Sequence, residues 1–168
     1  MDKSLRMLLE QHSHNPSKQY ELAGITADGI KHYILSEMQI AIAEDDWEAG
    51  HVLIAMTVDV ANQKLRADIL NNLLIMPGLT LHQEVTRWIQ DIGHPSSTPY
   101  IREMLERGYD ALQYTAYSDE GITKWFSHAL SCIDTPESIA LIREFASSPN
   151  TGIATQMRHR LKRIAEDD

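Results

Sequence analysis

Two helices and the turn between them are encoded in residues 134–164, DTPESIALIREFASSPNTGIATQMRHRLKRI. Thr135 and Pro136 open the first helix, because threonine caps a helix well and proline at the first helical position loses no hydrogen bond. The run 147–150, rich in serine, proline and asparagine, predicts a short turn. The second helix closes on one apolar stripe with spacings of four and three residues: Met157, Leu161 and Ile164.

The same closing stripe recurs at two earlier places in the chain. The matching sets are Val85, Ile89 and Ile92, then Phe126, Leu130 and Ile133. Thr98 and Pro99 also repeat the helix opening of the last unit. The closing isoleucines recur after 41 and then after 31 residues, a period typical of antiparallel helix pairs that stack side by side. The sequence therefore predicts an all-α fold.

These residues resemble a bacterial HEAT-type repeat, in which a first helix rich in leucine and isoleucine leads through a Pro/Asn turn to a second helix ending in Leu-x-x-Ile. Residues 94–133 resemble a degenerate copy with a longer middle loop, and residues 62–92 a weaker one. The resemblance implies a right-handed stack of antiparallel helix pairs, a HEAT-like α-α superhelix, whose concave face holds another macromolecule. Small acidic bacterial proteins of this kind often resemble immunity proteins, which bind and block a toxin. Others are scaffold modules, and a minority are enzymes, including DNA glycosylases.

We expect about eight helices in a single domain, residues 1–168, of which residues 1–60 are poorly patterned and residues 62–165 are HEAT-like. The weak helix formers at 58–62 predict a break in an otherwise long helical run. Residues 15–25 are predicted to be a loop, and the acidic tail 166–168 to be frayed. The predicted helices are 3–12, one capped by Thr26 that runs to about 44, two within 47–76, 82–92, 99–107, one capped by Asp119 that runs to 133, 136–146 and 151–165.

Acidic residues outnumber lysine and arginine by 24 to 15, which gives a formal net charge of −9. This charge repels phosphate and favours a cationic partner, so we do not expect nucleic acid to bind. One short basic stripe, Arg158, Arg160 and Arg163, lies on the final helix, where cations also complement the helix dipole. The alternative function is therefore a nucleic-acid-binding protein or a DNA-repair-type enzyme on the same scaffold that uses these three arginines.

The remaining composition indicates a soluble, cytoplasmic protein. A single cysteine, Cys132, excludes an internal disulfide framework and a zinc site with several cysteines. The start of the chain has no signal-peptide pattern, and no apolar run approaches the length that spans a membrane. The oligomeric state is not predicted.

No residue pattern in the chain is typical of catalysis, so we expect a protein that is not an enzyme and needs no cofactor. Glu48 and His51 have the spacing of a carboxylate–histidine metal pair on a helix. A di-metal site needs that motif twice, and its nearest second copy, Asp91 and His94, straddles a helix end. A solvated helix face therefore explains Glu48 and His51 better than a metal site does.

Two groups of residues are candidate contacts to a protein partner. An aromatic ring surrounded by carboxylates suits a cationic protein, because the ring anchors the complex and the charges steer the encounter. The alternative for this first group is a helix cap with Trp47 in the core. The second group is Tyr109, Tyr114 and Tyr117, because tyrosines are enriched at interfaces, and packing in the core explains them equally well. The candidate residues are Glu44, Asp45, Asp46, Trp47, Glu48, Tyr114 and Tyr117.

The expected function is a non-catalytic protein-binding module. Its most concrete form is an immunity-type protein that occludes a basic toxin, and a generic assembly scaffold differs from that form only in its partner.

Overall fold

A computed structural model describes residues 1–167 and confirms the all-α prediction. These residues form ten α-helices and no strand. Three short 3-10 helices lie at Ala27–Gly29, Pro95–Ser97 and Asp110–Thr115. The α-helices are α1 (Lys3–Gln11), α2 (Pro16–Ala23), α3 (Ile30–Glu44), α4 (Trp47–Val58), α5 (Gln63–Leu74), α6 (His82–Ile92), α7 (Thr98–Arg107), α8 (Asp119–Ile133), α9 (Pro136–Phe145) and α10 (Thr151–Asp167).

The chain forms two compact units, an N-terminal unit of Met1–Leu73 and a C-terminal unit from Leu74 onwards. In the N-terminal unit, α3 packs against α4, and α1 contacts both α2 and α4. Its fully buried apolar side chains include Leu9, Ile30, Ile34, Leu53 and Ile54. None of the helices within residues 1–167 is both long enough and apolar enough to cross a bilayer.

In the C-terminal unit, α8 packs against both α6 and α10. Helix α9 contacts α8 and α10, and α7 contacts α8 and α9. The three predicted stripes supply much of this core, because their members on α6, α8 and α10 turn towards it. The fully or nearly fully buried members are Val85, Ile89, Phe126, Leu130, Ile133 and Met157, whereas Ile92, Leu161 and Ile164 are half-buried.

Several predicted helix ends are confirmed, and four details are wrong. Residues 16–23 form a helix rather than a loop, capped by the Asn15 side chain, which accepts a hydrogen bond from the Lys18 N–H at 3.2 Å. A 3-10 turn, not α3, follows the predicted cap Thr26, and α3 begins at Ile30. Ser118, not Asp119, caps α8. Helix α10 includes residues 166 and 167, predicted to be frayed, and residue 168 lies outside the described residues. Residues 1–167 contain ten α-helices, where about eight were expected.

Gly152 marks a close approach between the first turns of α10 and α8. A Cβ atom at this position would lie 2.9 Å from the Glu120 backbone nitrogen and 3.0 Å from the Asp119 Cβ. Both atoms are fixed by the start of α8, so the two helices must separate to admit a methyl group. The glycine therefore sets the distance between these helix ends.

We expect Gly152→Ala to destabilise the protein by about 1–2 kcal/mol, although alanine normally stabilises a helical position relative to glycine. The measurement is the free energy of unfolding by urea. Gly121→Ala is the control, because the nearest atom to its new Cβ, at 3.2 Å, belongs to the movable Tyr117 side chain. If Gly152→Ala is neutral or stabilising, the close approach does not constrain the helices.

Candidate functional site

The acidic residues 44–48 lie at the junction of α3 and α4. Asp45 ends α3 in the left-handed conformation, with φ of 55°, which an aspartate tolerates better than most residues. Asp46 then caps α4, since its Oδ1 accepts a hydrogen bond from the Ala49 N–H at 3.1 Å. The tight connection places Glu44, Asp45 and Glu48 on the surface, while Asp46 is half-buried.

Arg6 of α1 organises this acidic cluster, and no local sequence pattern reveals that role. Its Nη1 lies 2.7 Å from Asp46 Oδ1, and its Nη2 lies 2.5 Å from Glu48 Oε2. The arginine is only 9% exposed, so its guanidinium needs both carboxylates to offset the loss of water. The two remaining acids, Glu44 and Asp45, have no cationic side chain within 4 Å among residues 1–167. The surface of the cluster therefore stays negative.

Trp47 combines both of the roles considered from the sequence. It begins α4, its side chain is half-buried, and its Nε1 donates a hydrogen bond to Asp45 Oδ1. The indole is thus held in place by a carboxylate while part of its surface stays accessible. A ring held in this way loses little conformational freedom when a partner covers it.

Tyr114 is 43% exposed, but its hydroxyl group is engaged. The oxygen accepts a hydrogen bond from the His82 N–H at 3.2 Å and lies 3.0 Å from His82 Nδ1. His82 is nearly fully buried, and this burial lowers its pKa to about 4. Both residues line a largely apolar cavity of about 560 Å³, into which Arg107 also faces.

Tyr117 lines a different cavity, so the structure does not bring the two predicted tyrosines into one site. Its ring centroid lies 5.3 Å from that of Trp125, with the rings almost perpendicular at 80°. The ring also rests on Gly121 of α8, where any side chain would crowd it. Tyr109, in contrast, is buried, and its hydroxyl lies 2.9 Å from Thr123 Oγ1. Tyr109 is therefore part of the core.

The cavity beside Tyr117 is a groove of about 610 Å³ between α6 and α8. Arg87 and Lys124 line it, and neither has a carboxylate within 4 Å among residues 1–167. A second cavity of about 340 Å³ lies between α8 and α10 and shares Lys124 and His128 with the first. Sequence reasoning missed Arg87 and Lys124, because each is an isolated cation in its own helix.

The three arginines of the predicted basic stripe do not act as one group. Arg158 donates a hydrogen bond to the Ala146 carbonyl oxygen at 2.9 Å. Arg163 lies 3.6 Å from Glu166 Oε2. Arg160, however, lines the second cavity beside α8. The basic stripe on α10 therefore contributes one of its three arginines to the grooves.

No group of three or more histidine, cysteine, aspartate or glutamate side chains within residues 1–167 is placed to hold a metal ion. Glu48, half of the Glu48–His51 pair, is committed to Arg6. Glu48 therefore joins α4 to α1 through this ion pair.

The chain matches no family model, no curated protein and no solved structure. Function is therefore inferred from the geometry and charge of the residues in the acidic cluster and the two grooves.

Proposed function

We propose that this chain is a non-catalytic protein-binding module that engages a cationic partner through the acidic cluster at residues 44–48. The observation that carries the proposal is the pairing around Arg6. One buried guanidinium neutralises part of the cluster and leaves Glu44 and Asp45 exposed without a cation among the described residues. A partner that brings lysine or arginine to this surface supplies the missing counter-charge.

The cluster combines the two elements that protein interfaces use most effectively. Exposed carboxylates accelerate the encounter with a positive surface and fix its orientation. The half-buried Trp47 beside them offers apolar area, and tryptophan is among the residues that contribute most to binding energy. The net charge of −9 over the whole chain acts in the same direction.

The most concrete form of the proposal is an immunity-type protein that occludes a basic toxin; the broader form is an assembly scaffold. We further infer that the C-terminal unit is a HEAT-like stack of helix pairs. Supporting this, α8 contacts both α6 and α10, and α7 contacts α9. Helices of equivalent position in the repeat are therefore neighbours, as stacked pairs require.

We expect Glu44→Lys combined with Asp45→Asn to weaken partner binding by about tenfold or more, because two exposed charges that steer and hold the partner are removed or reversed. Asparagine is chosen at position 45 because it tolerates the left-handed backbone there. The partner tested first is the purified product of the adjacent open reading frame. Titration by biolayer interferometry measures the dissociation constant and the association rate.

Glu10→Lys combined with Asp28→Asn is the matched control. It changes the net charge by the same amount at two other exposed positions of the N-terminal unit, and it should leave the affinity within about twofold. If the two double variants weaken binding equally, the effect comes from the overall charge of the chain and not from the acidic cluster. If the adjacent product does not associate at sub-micromolar concentration, or is harmless to cells, the immunity form of the proposal fails.

A further inference from the structure

We infer that the grooves on either side of α8 bind a nucleotide unit, with its phosphate held by Arg87 and Lys124 and its base against Tyr117 and Trp125. This site lies in the C-terminal unit and uses none of the residues of the acidic cluster. The ligand chemistry is the same whether the nucleotide is free or part of a single strand of nucleic acid.

The positive side chains that line this site favour an anionic ligand. Arg87 is exposed on α6 and Lys124 is exposed on α8, and both line the 610 Å³ groove. No acidic residue lines that groove, and Glu120 is the one acid among the described residues that line the second cavity. Most other basic side chains of this unit are engaged in ion pairs or hydrogen bonds. Arg87 and Lys124 have no carboxylate partner among the described residues, so they create a local positive field.

The pKa of His128 is affected by the same positive charges, although burial has the larger effect. This residue lies on α8 and faces both grooves. Its pKa is lowered first by burial and then by the positive charges of Arg160, Lys124 and His159. A phosphate entering here would meet cations from α8 and α10 as well as Arg87 from α6.

The aromatic pair distinguishes a nucleotide from a simple anion. Tyr117 is 47% exposed and stands almost perpendicular to Trp125, so the pair offers ring surface on the groove wall. Bases stack on such surfaces whatever their sequence. Gln83 and Gln90 of α6 line the same groove, and their side-chain amides can both donate to and accept from a base edge.

The size of the site is compatible with this ligand. A volume of about 610 Å³ lies within the roughly 300–1,000 Å³ of small-molecule pockets. The second cavity shares Gly121, Lys124 and His128 with the first, so a neighbouring phosphate could lie across α8. The net negative charge of the chain opposes approach from a distance, but salt at about 0.1 M screens exposed charges beyond about 10 Å.

The full chain is titrated into a fluorescently labelled thymidine single strand of about twelve nucleotides, and anisotropy is followed from about 50 to 200 mM salt. We expect binding that weakens with salt. Arg87→Gln combined with Lys124→Gln should weaken it at least tenfold and reduce the slope of log affinity against log salt by about 1.4, or about 0.7 for each lost phosphate contact. Tyr117→Ala should weaken binding about fivefold or more without changing this slope.

Arg143→Gln combined with Lys162→Gln is the matched control, because it removes two exposed cations of α9 and α10 that do not line either groove. It should change the affinity by less than about twofold. Competition by unlabelled adenosine monophosphate would identify a free nucleotide as the ligand, and binding of the oligonucleotide alone would identify a single strand.

Three results would overturn the inference: no binding of either probe at the lowest salt, equal weakening by the control pair, or equal displacement by a glutamate peptide of the same length. The last result would show that the groove recognises negative charge without the base. None of these results bears on the acidic cluster, which is tested with a cationic protein.

Discussion

Leu130→Ala is expected to lower the free energy of unfolding by about 3–5 kcal/mol. Leu130 is fully buried on α8, and α8 packs against both α6 and α10. The removed methyl groups would leave a cavity that neighbours on both sides cannot fill without moving an entire helix. The loss therefore includes the cavity as well as the transfer of the side chain to water. The change is measured by urea denaturation followed by far-UV circular dichroism, and the dependence of the free energy of unfolding on urea concentration should stay the same.

Leu161→Ala is the matched control for this prediction. Leu161 is the middle residue of the apolar stripe on α10, as Leu130 is on α8, but it is only half-buried. The same substitution should therefore cost about half as much or less. The sequence alone makes the two leucines equivalent. Equal losses would mean that burial at the end of α10 is greater than described, and a loss below about 1 kcal/mol at Leu130 would contradict the central position of α8.

Acidification from pH 7 to pH 5 is expected to destabilise the protein by about 2 kcal/mol through His82 alone. Burial lowers the pKa of His82 to about 4 in the folded protein, against 6.5 in the unfolded chain. Above pH 6.5 the histidine is neutral in both states and has no effect. Between pH 6.5 and 4 the unfolded chain takes up a proton that the folded protein does not, so stability falls. Below pH 4 both states are protonated and the loss stops growing.

The surroundings of His82 support this direction. Its Nδ1 faces the neutral hydroxyl of Tyr114, and the titratable side chain that shares its cavity from α7 is the cationic Arg107. Neither group carries a negative charge that would stabilise an imidazolium ion. A hydrogen bond with the Leu74 backbone raises the pKa of His82, but by less than burial lowers it. Unfolding in urea at several pH values between 7 and 4.5 measures how the free energy of unfolding depends on pH. The decline of this free energy with acidification should be about 2 kcal/mol smaller in His82→Gln than in the unsubstituted chain. If the two curves run parallel, His82 does not titrate in this way.

The helices that could be predicted from the sequence are those with a strong stripe and a clear end. Helix α6 has its predicted bounds and α8 its predicted end because each carries an apolar stripe, and Gly93 ends α6 in the left-handed conformation. The break at 58–62 is confirmed between α4 and α5. The sequence does not predict helix α2, because its apolar pattern is weak and the residue before a proline, here Asn15, avoids the helical conformation. Asn15 and Pro16 instead cap and open α2.

The candidate sites depend on contacts that no local pattern contains. Arg6 meets Asp46 across 40 positions of sequence, so the partial neutralisation of the acidic cluster is visible only in three dimensions. Arg87 and Lys124 come from different helices and share a groove because α6 packs on α8. Sequence reasoning found the acidic cluster because its carboxylates are consecutive, and missed the groove because its cations are not.

The hydrogen bond from the Trp47 indole to Asp45 gives the chain an optical reporter at its acidic cluster. A cationic group that competes for this carboxylate would alter the environment of the indole and shift its fluorescence emission. The other tryptophans, Trp88 and Trp125, lie on α6 and α8. A Trp47→Phe chain therefore keeps tryptophan emission only in the C-terminal unit, and comparing it with the unsubstituted chain separates the signals of ligands at the two surfaces.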